Sequence, residues 1–500
     1  MSTSEFKTMK TSKVLRSKAQ EFLANRKKIE ILNEIIKHLD SGIDVHSCLM
    51  SLELIFTTLL KEECMYIEIV PLKPVEKSAE NEFKMGLKNT YEKFFQKVLD
   101  SLESNSNKIQ IQGLNTAFAL ISNEGKHPLE NVNSNGRCYV PLNKLKSVLI
   151  KLLFANNNNA FLINKYTEYL TYNDILFNTW KLLPSLTQKL SNPNETYIIN
   201  YLALLSKMQV YQNSEENLLC ANEDDTLTFD ENVTKKVLNK IWNCVMQWEH
   251  TKATHKQVLI VLLENVLKHL EKPLFLTDFL MDSLDVGGPV SLLALQGIFT
   301  MIQVHNLDYP DVYKKLYSMF EPEIFHTKYK ARLFYLSDLF LSSSHLPESL
   351  VAAFAKRLAR LALIAPPEDI RIICMLVGNL ILRHPGLKCL IHRIDERSPN
   401  TDPYIMEETN PAKSNGIVSS LWELQTLQNH TLPSVAKAAR FINNPLPSVQ
   451  WDITEHLDDT SEKIFENEIR VLSKLVVLAF EKPQGMSLQK GEAVRKYWNI

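Results

Sequence analysis

At about 100–200 residues per domain, a chain of 500 residues has length for two to four domains. Only 13 of those residues are glycine, far below the usual share of about 7%. That leaves little material for hairpin turns, bulges and phosphate loops, which excludes a large antiparallel β protein and disfavours a doubly wound nucleotide-binding enzyme. Apolar residues at 45%, charged residues at 23% and a net charge of -1 describe a chain that buries a large core and does not coat nucleic acid through bulk charge. The fold class this leaves is all-α: long helices joined by polar loops.

The N-terminus is basic and lacks the apolar core of a secretory signal. Leu15, Phe22 and Leu23 sit at helical spacing and predict a solvated first helix. Asn131–Arg137 and Asn156–Asn159 are polar loops, and between the loops LNKLKSVLIKLLF, YIINYLALLSKM and VLIVLLENVLKHL repeat Leu or Ile at three and four. Residues 1–211 therefore form an N-terminal helical repeat region. Gln212–Thr234 holds seven acidic residues and no basic one, the composition of an acidic linker, and the main domain boundary is expected at 212–234. Residues 235–395 read as a second helical repeat domain. Residues 396–500 read as a helical extension with an acidic segment, Asp452–Glu468, and an aromatic tail.

Val286–Leu307 contains no Asp, Glu, Lys or Arg, and a membrane span needs about 20 predominantly apolar residues. The stretch opens on Gly287-Gly288-Pro289 and carries Ser291, Gln296, Thr300, Gln303 and His305, so a buried core helix is expected and a membrane partner is not. Pro273, Pro310, Pro347 and Pro385 follow at intervals of 37, 37 and 38 residues. Proline is tolerated in a helix's first turn and disfavoured inside it, so the series marks where helices begin or end. About 37 residues between marks fits two helices and their turns, as in an α-solenoid of HEAT- or armadillo-like hairpins.

No enzyme motif can be written onto the chain. No GxG occurs, and the single Gly-Lys step, Gly125-Lys126, has Leu120 and His127 where a phosphate loop needs Gly and Ser or Thr. GxSxG and HExxH are also missing, which leaves no catalytic residue and no cofactor-binding residue to nominate. The seven cysteines are scattered without a CxxC pair, as in a reducing compartment. Cys374, His384, Cys389 and His392 have ligand chemistry, but their spacing matches no zinc arrangement and Cys374 lies in the apolar run IRIICMLVGNLIL; they read as packing residues, with no metal.

The candidate surfaces are basic and aromatic. On a helix through Glu348–Ala362, Leu350, Val351, Phe354, Leu358 and Leu361 share about one third of the circumference, with Lys356, Arg357 and Arg360 opposite. Lys328, Lys330 and Arg332 form a second group. Such a face is either solvated or a contact for RNA phosphates or an acidic partner. Leu421, Trp422 and Leu424 either pack a helical hairpin or anchor a partner, while Tyr497 and Trp498, at a terminus with little core of its own, are candidate contacts.

DVGGPVSLLAL (Asp285–Leu295), HNLDYPDVYKKLY (His305–Tyr317), EPEIFHTKYKARLF (Glu321–Phe334), DLFLSSSHLPESLVAAFAKRLARLAL (Asp338–Leu363) and RHPGLKCLIHR (Arg383–Arg393) resemble the CCAAT-binding-factor domain of the nucleolar complex proteins, and most of all the nucleolar complex protein 4 family. Asp402–Ile442 is similar to the same family. The resemblance implies a non-catalytic assembly factor of the small-subunit processome, located in the nucleolus of the nucleus and paired with nucleolar protein 14. It also implies a role in small-subunit ribosomal RNA maturation and pre-ribosome export, whether or not pre-ribosomal RNA is touched directly. The alternative is a general helical-repeat adaptor in transport or transcription. Neither takes a small-molecule substrate.

Overall fold

In a computed structural model the protein is all-α, a succession of helical hairpins, described for residues 3–26, 28–42, 44–68, 79–130, 138–155, 157–187, 192–210, 217–222, 230–305, 309–392, 401–475 and 497. Among the described residues the only β feature is an isolated parallel bridge between Ile67 and Glu130. The chain divides into two compact units, Met1–Gly297 and Ile298–Ile500.

In the first unit, α1 (Thr3–Ala24) and α2 (Ile29–Asp40) both pack on α3 (Val45–Lys61). The hairpin of α4 (Ala79–Ser101) and α5 (Asn107–Lys126) also packs on α3, stacking Phe94 on Phe56 with ring centres 5.2 Å apart. Then follow α6 (Leu142–Leu153), α7 (Ala160–Tyr166), α8 (Asn173–Thr187), α9 (Glu195–Lys207), α10 (Glu231–Val245) and α11 (Lys252–Val261), with α10 on α8 and α11 on α9. Helix starts follow local chemistry: the Asp230 carboxylate accepts the N–H groups of Asn232 and Val233, and the Thr251 hydroxyl accepts that of Thr254.

The boundary expected at 212–234 lies inside this unit. Within that stretch, the described residues Asn217–Asn222 are packed onto it. Asp174, fully buried at the start of α8, accepts the N–H of Cys220 at 2.8 Å and that of Leu219 at 3.1 Å. Cys220 is buried against α5, where its Sγ meets the Ile121 carbonyl. A buried aspartate 45 residues earlier docks Asn217–Asn222, together with the Asn173 N–H, which donates to the Asn217 carbonyl, and the Ser122 hydroxyl, which donates to that of Leu219.

The proline marks fall at helix starts. Pro273 opens a 3-10 turn leading into α12 (Thr277–Asp285), Pro310 opens α14 (Pro310–Ser318), and Pro347 immediately precedes α16 (Glu348–Ala362). Each interval holds two helices: α12 and α13 (Gly288–His305), α14 and α15 (Lys330–Phe340), α16 and α17 (Pro367–Arg383). After Pro385, which opens a 3-10 stretch to Leu390, the pairing stops. α13 is the core helix expected from its lack of charge, with Val290, Leu292, Ala294, Leu295, Ile298 and Met301 buried. Gly287 and Gly288 turn the chain into it at φ of +88° and +62°, a left-handed conformation that favours glycine. Among the described residues no helix is long and apolar enough to cross a membrane.

The core of the second unit is the α16–α17 hairpin. The irregular segment from Thr401 to Leu421 runs over α16, and α18 (Trp422–Leu427) and α19 (Pro433–Ala439) complete the cover, α19 against α17. Asn379 on α17 fastens the next loop as a peptide would, donating to the Trp451 carbonyl and accepting the Trp451 N–H, both at 2.9 Å. α20 (Ser461–Leu475) is the last described helix and packs on α17 and α19.

Candidate functional site around a buried basic helix

α16 is buried nearly all round. Val351, Phe354, Leu358 and Leu361 pack inward as the helical wheel requires, but Lys356 is 0% exposed and Arg357 6%. Neither a solvated face nor a phosphate contact is available to these two residues, which corrects the sequence expectation. The covering segment supplies their partners. Lys356 Nζ lies 2.6 Å from Glu423 Oε1 and 2.8 Å from Asp402 Oδ2, and donates to the Ser420 carbonyl at 2.6 Å. Arg360 reaches the same two carboxylates, Asp402 Oδ2 at 2.7 Å and Glu423 Oε1 at 2.9 Å. Arg357 donates to the carbonyls of Phe320 at 2.8 Å and Met406 at 2.9 Å, and its guanidinium stacks 4.6 Å from the Tyr317 ring centre.

Two carboxylates in one network titrate in opposite directions. Burial works against the Asp402 anion, yet hydrogen bonds from Lys356, Ser419, Trp422 and the Tyr404 N–H outweigh it and hold its carboxyl well below the usual range. Burial dominates at Glu423 and raises its pKa, with Lys356 opposing. The network is a clamp between α16 and a segment 42 to 67 residues downstream. The backbone approach is equally close: a Cβ on Gly416 would sit 2.6 Å from Ala353 Cα, so only glycine fits there without displacement.

The remaining candidate residues separate by position. Lys330 is half-buried and paired with Asp369 at 2.8 Å and Glu368 at 3.5 Å, tying α15 to the first turn of α17. Lys328 and Arg332 have exposed side chains. Leu421 and Leu424 are buried core residues, whereas Trp422 is 39% exposed. Its Nε1–H donates to Asp402 Oδ2 at 2.9 Å, and its ring lies against Arg360, whose Cζ is 4.7 Å from the ring centre. Tyr497 is exposed, and Trp498 lies outside the described residues. Burial in α17 pushes the Cys374 thiol up to about 12, the state of a packing thiol, and among the described residues no three His, Cys, Asp or Glu side chains converge as a metal cluster.

Helical-wheel reasoning missed Asp402, Glu423 and Gly416. Asp402 lies in a stretch whose Pro, Asn, Asp and Ser content reads as loop, and Glu423 lies between Trp422 and Leu424, which read as hairpin packing or a partner anchor with no charge to pair.

These helices, from Ser291 in α13 to Ala439 at the end of α19, match the CBF/Mak21 family over residues 291–439. The relationship then extends across the chain. It is 37% identical to nucleolar complex protein 4 homolog B of Xenopus laevis over 97% of its length and 96% of that protein's. It is 33% identical to the Danio rerio homolog over 94% and 93%, and 32% identical to the Homo sapiens homolog over 98% of both. The chain belongs to the nucleolar complex protein 4 family.

Proposed function

We propose that the chain is a non-catalytic assembly factor of the small-subunit processome, acting in the nucleolus in a complex with nucleolar protein 14 and needed for small-subunit ribosomal RNA maturation and export of the small subunit. The observation that carries this reading is near-full-length kinship with proteins named for a nucleolar complex. The physical organisation is compatible with it. The strongest charges on α16 are consumed in holding the fold, and the chain presents a half-open aromatic at the surface of that clamp.

Trp422 is the partner anchor in this reading. Asp402 and Arg360 fix its indole from two sides, so little side-chain freedom remains to be lost on binding. One turn beyond Arg360 on α16, Leu363 and Ile364 are also exposed. In this reading the exposed Lys328 and Arg332 are the candidate contacts for pre-ribosomal RNA, contacts that weaken with salt.

Trp422→Ala in the full-length protein is expected to weaken capture of purified nucleolar protein 14 at least about tenfold, as for a Trp hot spot. Unchanged hydrogen exchange in α17 checks the fold. Full binding by that variant would remove Trp422 from the interface. Deleting Tyr497–Ile500 is expected to impair capture more than folding. Sedimentation separates the assembly role from a general adaptor in transport or transcription, because only the first puts the chain in particles containing small-subunit precursor RNA.

A further inference from the structure

Outside the α16 clamp, α20 is exposed at every described position from 461 to 474 except Ile464 and Glu468. Phe465 is 58% exposed, Ile469 50% and Leu472 48%. At 100° per residue the three lie within about 60° of one another and form a continuous stripe. The helix cannot roll to bury them, because one flank is fixed. Ile464 is buried, Glu468 Oε1 accepts the Ser434 N–H at 2.8 Å, and the Ser461 hydroxyl donates to Glu368 on α17.

The charges around the stripe are segregated. Glu462 and Glu466 line one edge and Glu468 the other, while Lys463, Arg470 and Lys474 occupy the back of the helix. Acidic edges repel phosphate, which argues against RNA or an anionic membrane on this face. They also argue against a second copy of α20, since antiparallel self-pairing would set glutamate against glutamate. What fits is an apolar stripe with basic edges. We propose that α20 docks an amphipathic helix of a protein partner, its apolar residues against Phe465, Ile469 and Leu472 and its flanking Lys and Arg against Glu462, Glu466 and Glu468. The proposal rests on the assembly-factor reading only in requiring a protein partner.

Two measurements on the full-length protein test it. In the first, fluorescence anisotropy follows a synthetic helical peptide of about 18 residues, long enough for five turns, with a Leu stripe flanked by Lys, and a twin flanked by Glu. The Lys-flanked peptide is expected to bind at least tenfold more tightly than its twin. Phe465→Ser with Ile469→Ser should lose at least tenfold, and Glu462→Lys with Glu466→Lys should invert the preference. All four substituted positions are exposed, and hydrogen exchange in α16 verifies that the variants are folded. Equal binding of the two peptides, or binding indifferent to the Phe465 and Ile469 changes, overturns the proposal. In the second, a photo-crosslinking amino acid at position 469 is activated in cells. A crosslink to a Lys- or Arg-flanked apolar helix of another protein supports the proposal, and a crosslink to RNA, to a second copy or to this chain's own residues overturns it. If the chain sediments with pre-ribosomal particles and the crosslink fails, the docking face falls and the assembly role stands. If it never enters such particles, the assembly role falls by itself.

Discussion

Lys356→Met isolates the clamp that holds the C-terminal segment on α16. The variant keeps the length of the aliphatic stem and removes only the ammonium. Glu423, fully buried, then loses its nearest counter-charge at 2.6 Å and retains Arg360 at 2.9 Å, while one carboxylate oxygen already lacks a hydrogen-bond partner. Breaking a buried pair from one side costs about 3–5 kcal/mol because a desolvated charge is stranded. Arg360 remains, so the lower end applies, about 3 kcal/mol, or roughly two orders of magnitude in an opening equilibrium. A chain of two units has no single unfolding free energy, so the assay is local: hydrogen exchange of the α16 amides by mass spectrometry. The expected result is a drop in protection of about a hundredfold across Glu348–Ala362, with α3 and α5 unchanged. Adding Glu423→Leu removes the stranded charge and is expected to restore most of the loss. Protection within about threefold of the wild type would refute the clamp, as would a double variant weaker than either single one.

Asp402 gives the clamp a pH dependence of defined sign. Its folded pKa lies below the ordinary 3.8, so its contribution is present above that value and is lost as the pH falls through it towards the folded pKa. Asp402→Asn should lower α16 protection at neutral pH and flatten its decline on acidification; identical acid profiles would contradict this. Gly416→Ala places a methyl against the Ala353 backbone and is expected to cost about 1–3 kcal/mol, read as faster exchange in α16. In the first unit, Asp174→Ala removes the acceptor for Leu219 and Cys220. Burial first, then Asp174, pushes the Cys220 thiol far up, so the variant should label with a thiol reagent at least about tenfold faster at that position. An unchanged labelling rate would show that other contacts hold the segment.

The legible parts of the fold were local in sequence. Pro310 and Pro347 mark helix starts because a missing N–H has few tolerable positions, and Gly287-Gly288-Pro289 announces α13 because of its backbone demands. The basic stripe on α16 was equally visible, but whether a lysine is solvated or buried depends on what covers it. Lys356 is covered by Asp402 and Glu423, whose surroundings read as loop and short helix. Asp174 was invisible for the same reason, its partners lying 45 and 46 residues away. On α20 the acidic count of Asp452–Glu468 concealed the spacing of Phe465, Ile469 and Leu472, a stripe whose exposure only the packing of Ile464 reveals.

The most direct test of the assembly role is gradient sedimentation of affinity-tagged, full-length protein from cells, with RNA and protein identified in each fraction. The chain is expected to peak in large particles containing small-subunit precursor ribosomal RNA and nucleolar protein 14. Recovery only in light fractions free of that RNA, or in particles carrying large-subunit precursors alone, would contradict it.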